Sequence, residues 1–163
     1  MSVSCEVLQS HLAYTAWADE RLMRAVEQIP LEHLNHDFQT ADRSILGTLV
    51  HTFAGDRIWV RRVLGEPPAA FVTDEDRSLP ALQRQWPGVL NRWQEWAATL
   101  QDPSAVISYR DMKGNPYESP AWEIVMHVVN HGTHHRGQVS GFLRTLGYVP
   151  PALDLIRYYR ERG

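Results

Sequence analysis

The chain has 163 residues, 44% of them apolar, enough for one well-packed core and too few for two ordinary domains. Its formal charge of -3, with no Lys/Arg run beyond Arg61-Arg62, argues against nucleic acid as a partner. The N-terminus lacks the basic and apolar regions of a signal peptide, and no window approaches a membrane-spanning apolar run. The lone Cys5 cannot close an internal disulfide, so a cytoplasmic protein is expected.

In chain order, a first helix is predicted from Glu6 to Ile29, where Leu8, Leu12, Leu22, Val26 and Ile29 recur at helical spacing before Pro30. A polar connector follows. The second helix is predicted from about Ser44 to Leu64, ended by Gly65 and Pro67-Pro68. The third carries Leu82, Trp86, Leu90, Trp93, Trp96 and Leu100 at helical spacing, but Pro87-Gly88 predicts a kink or a delayed start. Val106, Ile107 and Tyr109, followed by the turn residues Lys113-Gly114-Asn115-Pro116, read as a short hairpin or an extended loop.

Ser119 then offers an N-cap and Pro120 a first helical position for a fourth helix, which runs to Gly147. A short last helix is expected in "LDLIRYYRER". The pattern is all-α: an up-and-down four-helix bundle, one domain over residues 1–163, with a short hairpin or extended loop before the fourth helix.

The fourth helix contains "HVVNHGTHHRGQ", His127 to Gln138, with four of the chain's eight histidines. At about 100° per residue, Ile124, Val125, Val128, Val139, Phe142, Leu143 and Leu146 share one arc, the core face. His135 falls inside that arc and His131 on its edge, whereas His134 points away and His127 sits on the flank with Gln138. His131 and His135 therefore form an inward pair one turn apart, a spacing that lets two imidazoles close on one metal ion. Gly132 predicts a small hollow beside them. It also stands where a zincin would carry its glutamate base, which disfavours peptide hydrolysis by that route.

Two ligands make a weak site, so a third must come from elsewhere.

Three strings, "HVVNHGTHHRGQVSGFLRTLGY", "ILGTLVHTFAGDRIWVRRVLG" and "YTAWADERLM", together with the closing "PPALDLIRYY", resemble the DinB-like, or YfiT-like, family of metal-binding four-helix bundles. The resemblance covers nearly the whole chain. It implies a site of one histidine from the second helix and an H-x-x-x-H pair from the fourth, here His51, His131 and His135. His51 rests on the resemblance: it lies opposite the main stripe of Leu49, Phe53, Val60 and Val63, with Gly47, Gly55 and Ile58 as its neighbours, so either that helix is covered on both sides or its core face is another one. Three neutral imidazoles suit Zn2+ or Ni2+ first, then Mn2+, Fe2+ or Co2+, and leave a coordination position open.

Some proteins of that superfamily are metal-dependent S-transferases and a maleylpyruvate isomerase that use low-molecular-weight thiols. The resemblance thus implies a small-molecule substrate and a thiol transferase or isomerase. A metal-dependent hydrolase and a non-catalytic binder are the alternatives, the first weakened by the lack of a carboxylate adjacent in sequence to His131 or His135. His127 and Gln138 are candidates to support the ligands, and Asp56 to support them or contact substrate. Trp17, in the first-helix string, is the tryptophan expected to line the pocket; the other five read as bundle packing. Gly137 and Gly141, one turn apart and facing away from the core, suggest a dimer seam, and members of the family are often dimers.

Overall fold

The computed structural model describes residues 3–162. Helix α1 spans Cys5–Val26, with the Ser4 hydroxyl accepting from the Val7 N–H as its N-cap. A single turn, α2, spans Leu31–Leu34, and α3 spans Ile45–Val63, capped by Ser44 through the Gly47 N–H. Helix α4 spans Leu79–Thr99 and is capped by Ser78. Strands β1 (Val106–Arg110) and β2 (Pro116–Pro120) pair antiparallel, with Tyr109 opposite Tyr117. Helix α5 spans Ala121–Thr145, and α6 spans Leu155–Glu161.

The first helix stops at Val26 and so falls short of Ile29, whose N–H bonds back to the Val26 carbonyl in a tight turn. Helix α4 continues unbroken through Pro87-Gly88, with no delayed start. Both residues are solvent-exposed, so water can satisfy the carbonyl that the proline leaves without a donor. A mid-helix proline costs about 3 kcal/mol. Burying Trp86 and Trp93 on the opposite face contributes roughly 4–6 kcal/mol each, which outweighs it.

Ser119 is a strand residue and not a cap. Helix α5 begins one position later than expected, with Pro120 at its N-cap position. Its first free N–H groups are taken by the chain itself: Ala121 donates to the Ala105 carbonyl and Trp122 to that of Pro103. The hairpin is thereby stitched to the start of α5. At the other end Gly147, at φ 85, closes the helix in the left-handed conformation glycine permits.

The four long helices form a ring in which α1 packs on α4 and α5, and α3 packs on the same two. Helix α1 is antiparallel to α4, since Gln9 reaches the Ala97 carbonyl while Gln83 reaches Glu27. After α3 the chain turns back along that helix: Phe71 lies edge-on to His51, and Arg57 bonds both the Phe71 carbonyl and Asp76. Helix α4 then starts level with the beginning of α3 and runs parallel to it. The all-α bundle and its hairpin are those the sequence predicts, but its helices run up, down, down, up and do not alternate throughout. The core fills the centre with Leu8, Phe53, Leu82, Trp86, Trp93, Ile124 and their neighbours.

Helix α3 is covered on nearly every side, by α4 on one flank and by α5 and β1 on the other. Both faces of the helix that carries His51 are therefore buried. That is the condition the sequence left open.

Candidate metal centre

Helices α3 and α5 run antiparallel, and their side chains meet in steps of one turn. His51 meets His135, Gly55 receives the ring of His131, and Trp59 meets His127. A Cβ on Gly55 would stand 2.8 Å from His131 Cε1. The missing side chain is the seat of the imidazole.

The three Nε2 atoms converge. His131 Nε2 lies 3.1 Å from His51 Nε2 and 3.1 Å from His135 Nε2. One ligand nitrogen from each of the three falls within 4.8 Å of the others. Nitrogens bound to one tetrahedral Zn2+ at about 2.0–2.1 Å stand about 3.4 Å apart, so the spacing suits a single ion.

The opposite ring nitrogens of His135 and His51 have partners behind them. His135 Nδ1 is 2.7 Å from Gln138 Oε1, an acceptor, which fixes the proton on Nδ1 and leaves a lone pair on Nε2. His51 Nδ1 faces Asp42 Oδ1 at 3.5 Å, and Asp42 Oδ2 lies 3.9 Å from His135 Nδ1. Asp42 reaches the cluster because Gly47 lets the loop lie on α3: a Cβ there would stand 2.0 Å from the Asp42 carbonyl oxygen.

Burial, with the neighbouring His135 and His51, lowers the pKa of His131 to about 4. Burial also pulls His135 down, against the bond from Gln138. Both rings are therefore neutral at physiological pH, the form a metal ion requires. His135 is 7% exposed, while His51 and His131 are half-buried, so the cluster is partly reachable from solvent.

The structure thus brings together His51, His131, His135 and Gln138. His127 is exposed and stacks on His131 at 5.9 Å, and His134 points to solvent. Asp56 is buried in the bundle, where its carboxylate accepts from the Trp86 indole N–H. Trp17 packs on Tyr14 and Tyr158 and donates to Glu161, and none of these contacts is with the three histidines. The hollow expected beside Gly132 is filled: Arg136 Nη1 occupies the place a Cβ would take, 2.8 Å away.

Sequence reasoning missed Asp42 and Arg136. Asp42 lies in a connector with no periodicity, and only its place just ahead of the helix that carries His51 hinted at it. Arg136 falls among core positions, but its charge argued for the surface.

Comparison with known proteins places the whole described chain in one family. The family model described as the DinB family matches residues 1–162. The chain is also similar to "Protein DinB" of Bacillus subtilis (strain 168), 21% identical over 149 residues, covering 86% of this chain and 87% of that protein.

Proposed function

The chain belongs to the DinB family, and from that membership and its three converging imidazoles we propose a divalent-metal-dependent enzyme of the thiol S-transferase or isomerase type. His51, His131 and His135 are its ligands, and Zn2+ or Ni2+ is its expected metal. The observation that carries the reading is the meeting of three Nε2 atoms, with Gln138 and Asp42 behind two of the rings, on the Nδ1 side of His135 and His51. When bound, such a metal supplies Lewis acidity that lowers the pKa of a thiol or water at the open position.

The chain's own residues do the positioning. Gln138 fixes the tautomer of His135, Asp42 adds negative charge behind His51, and Phe71 shields the His51 ring from one side. Of the three ligands, His51 borders a cleft of about 650 Å3 whose walls also include Asp42, Arg43, Phe71 and Arg77. A small-molecule substrate fits such a space.

The hydrolase reading gains one observation, because Asp42 is a carboxylate at the cluster. It sits behind the ligand nitrogens, where it orients a ring and does not face a reacting water, so the transferase reading keeps precedence. The reading also includes a cytoplasmic homodimer. Gly137 and Gly141 are exposed on α5 with open space where side chains would stand, which leaves room for a second helix.

The test is metal content of purified protein beside His51→Ala and His131→Ala, followed by thiol consumption against an electrophilic acceptor with and without chelator. One divalent ion per chain, lost in both variants, together with chelator-sensitive thiol loss, is expected. A wild type that takes up no metal sinks the proposal, and metal uptake without thiol turnover leaves the binder and hydrolase readings.

A further inference from the structure

A second cleft, of about 860 Å3, lies between the last turns of α3, the chain that returns along it, and the hairpin. Arg62 stands in its wall with its guanidinium over two rings, 4.4 Å from the centroid of Trp59 and 5.3 Å from that of Tyr109. Neighbouring arginines are engaged: Arg57 with Asp76, and Arg61 and Arg92 with Glu66. Among the described residues the Arg62 guanidinium makes neither a hydrogen bond nor an ion pair. Ring faces hold a guanidinium flat without consuming its N–H donors, so the fork is oriented and free.

The cleft adjoins the histidine cluster on two sides. Trp59, under Arg62, touches His127, which in turn stacks on His131. The apolar wall of Pro67, Pro68, Ala69 and Ala70 leads directly into Phe71, which lies against His51. Arg62 and Gly55, the seat of His131, are seven residues apart on α3, about 10 Å along its axis. A ligand that reaches both places has its charged end several bonds from its reacting atom.

We propose that Arg62 is the anchor for a carboxylate, and that the enzyme's substrate is an elongated monocarboxylate with an apolar body. The proposal rests on the histidine cluster being the reacting centre. The charge of the wall selects the ligand. Arg61, Arg62, Arg110 and Lys113 face Glu66, Asp111 and Glu118, an excess of one positive charge that suits a monoanion better than a phosphate dianion. The proline and alanine wall accounts for the apolar body. Arg62 is a positioning residue: it sets where the substrate lies and takes no part in bond breaking.

The probe pair is 4-phenylbutyrate and its uncharged amide, with dissociation constants measured by ligand-observed NMR on the full chain. The carboxylate is expected to bind about tenfold more tightly than the amide, and Arg62→Met to remove that difference while Arg62→Lys keeps part of it. Methionine preserves the apolar stem over the two rings, and an unchanged melting temperature and metal content show that the fold survives. Equal binding of the carboxylate by wild type and Arg62→Met, or no preference for it over the amide, overturns the proposal. Metal content is measured on the same samples, so loss of the metal reading shows separately, as a wild type without metal.

Discussion

At the scale of single residues, Gly55 is the least conspicuous member of the site and among the most decisive. An alanine there would place its Cβ 2.8 Å from the far end of the His131 ring, an atom that can swing away. Gly55→Ala should therefore fold as well as wild type, or gain up to about 1 kcal/mol from helix propensity. It should also bind Zn2+ at least tenfold more weakly, because His131 has left the cluster. Calorimetric titration with the metal beside a thermal melt separates the two effects; full affinity would mean that the ring does not need its seat. Gln138→Ala should likewise weaken metal binding about tenfold to a hundredfold by freeing the His135 tautomer, whereas His134→Ala, at an exposed ring, should change nothing. Helical periodicity alone separated His131 and His135 from His134, because burial of a helix face is written in a 3.6-residue repeat. His51 was not legible that way. Its helix is covered all round, and a helix buried on both faces has no apolar stripe for a polar residue to interrupt.

At the scale of elements, the helix boundaries were legible to within a few residues from apolar spacing and the Pro and Gly breakers, although the serine expected to cap, Ser119, lies in β2 and the serine caps are Ser4, Ser44 and Ser78. The direction of α4 was not, because it depends on the connector of residues 64–78, which Arg61 and Arg92 hold at Glu66 and Arg57 holds at Asp76. Arg57 grips Asp76 through two hydrogen bonds of 2.9 and 2.7 Å and holds the Phe71 carbonyl at 3.0 Å, which keeps that chain along α3 and Phe71 on His51. The bonds from Arg57, helped by those from Thr73, lower the pKa of Asp76 to about 2. A depressed carboxylate stabilises the fold above its unfolded pKa of about 4, and that contribution is lost as pH falls from about 4 towards about 2. Asp76→Asn should lower stability at neutral pH by about 2 kcal/mol and flatten this acid limb. Urea midpoints across that range check it: parallel acid limbs for wild type and variant would show that Asp76 carries none of the dependence.

At the scale of the whole molecule, the four long helices meet at one buried polar cluster to which each contributes. Asp19 of α1 accepts from Arg136 of α5 at 2.9 Å, Asp56 of α3 accepts from the Trp86 indole N–H of α4 at 2.9 Å, and Trp93 of α4 donates to the Asp56 carbonyl at 3.0 Å. Asp19 and Asp56 are each 1% exposed and Arg136 is 3% exposed, so this cluster has no recourse to water. It also constrains the pairing of helices, since any other arrangement strands a charge, and Gly132 is small because the Arg136 guanidinium fills its flank. Removing the cation by Arg136→Met should destabilise the fold by about 3–5 kcal/mol, the usual consequence of leaving a buried charge without its partner. Two carboxylates share one guanidinium, so the second cannot ionise cheaply. Burial pushes Asp56 well above the ordinary carboxylate range, with the charge of Asp19 adding to the rise and the Trp86 bond opposing it. A group whose folded pKa is raised stabilises the fold below its unfolded pKa, and that advantage is lost as pH rises through the folded value. Wild-type stability should therefore decline as pH rises above the usual carboxylate range. Asp56→Asn, which keeps an oxygen for the Trp86 N–H and cannot ionise, should show a flatter profile and overtake wild type at the alkaline end. Urea midpoints from about pH 5 to about pH 9 decide it, and a variant weaker than wild type by the same margin throughout would mean that Asp56 is ionised in the core at neutral pH.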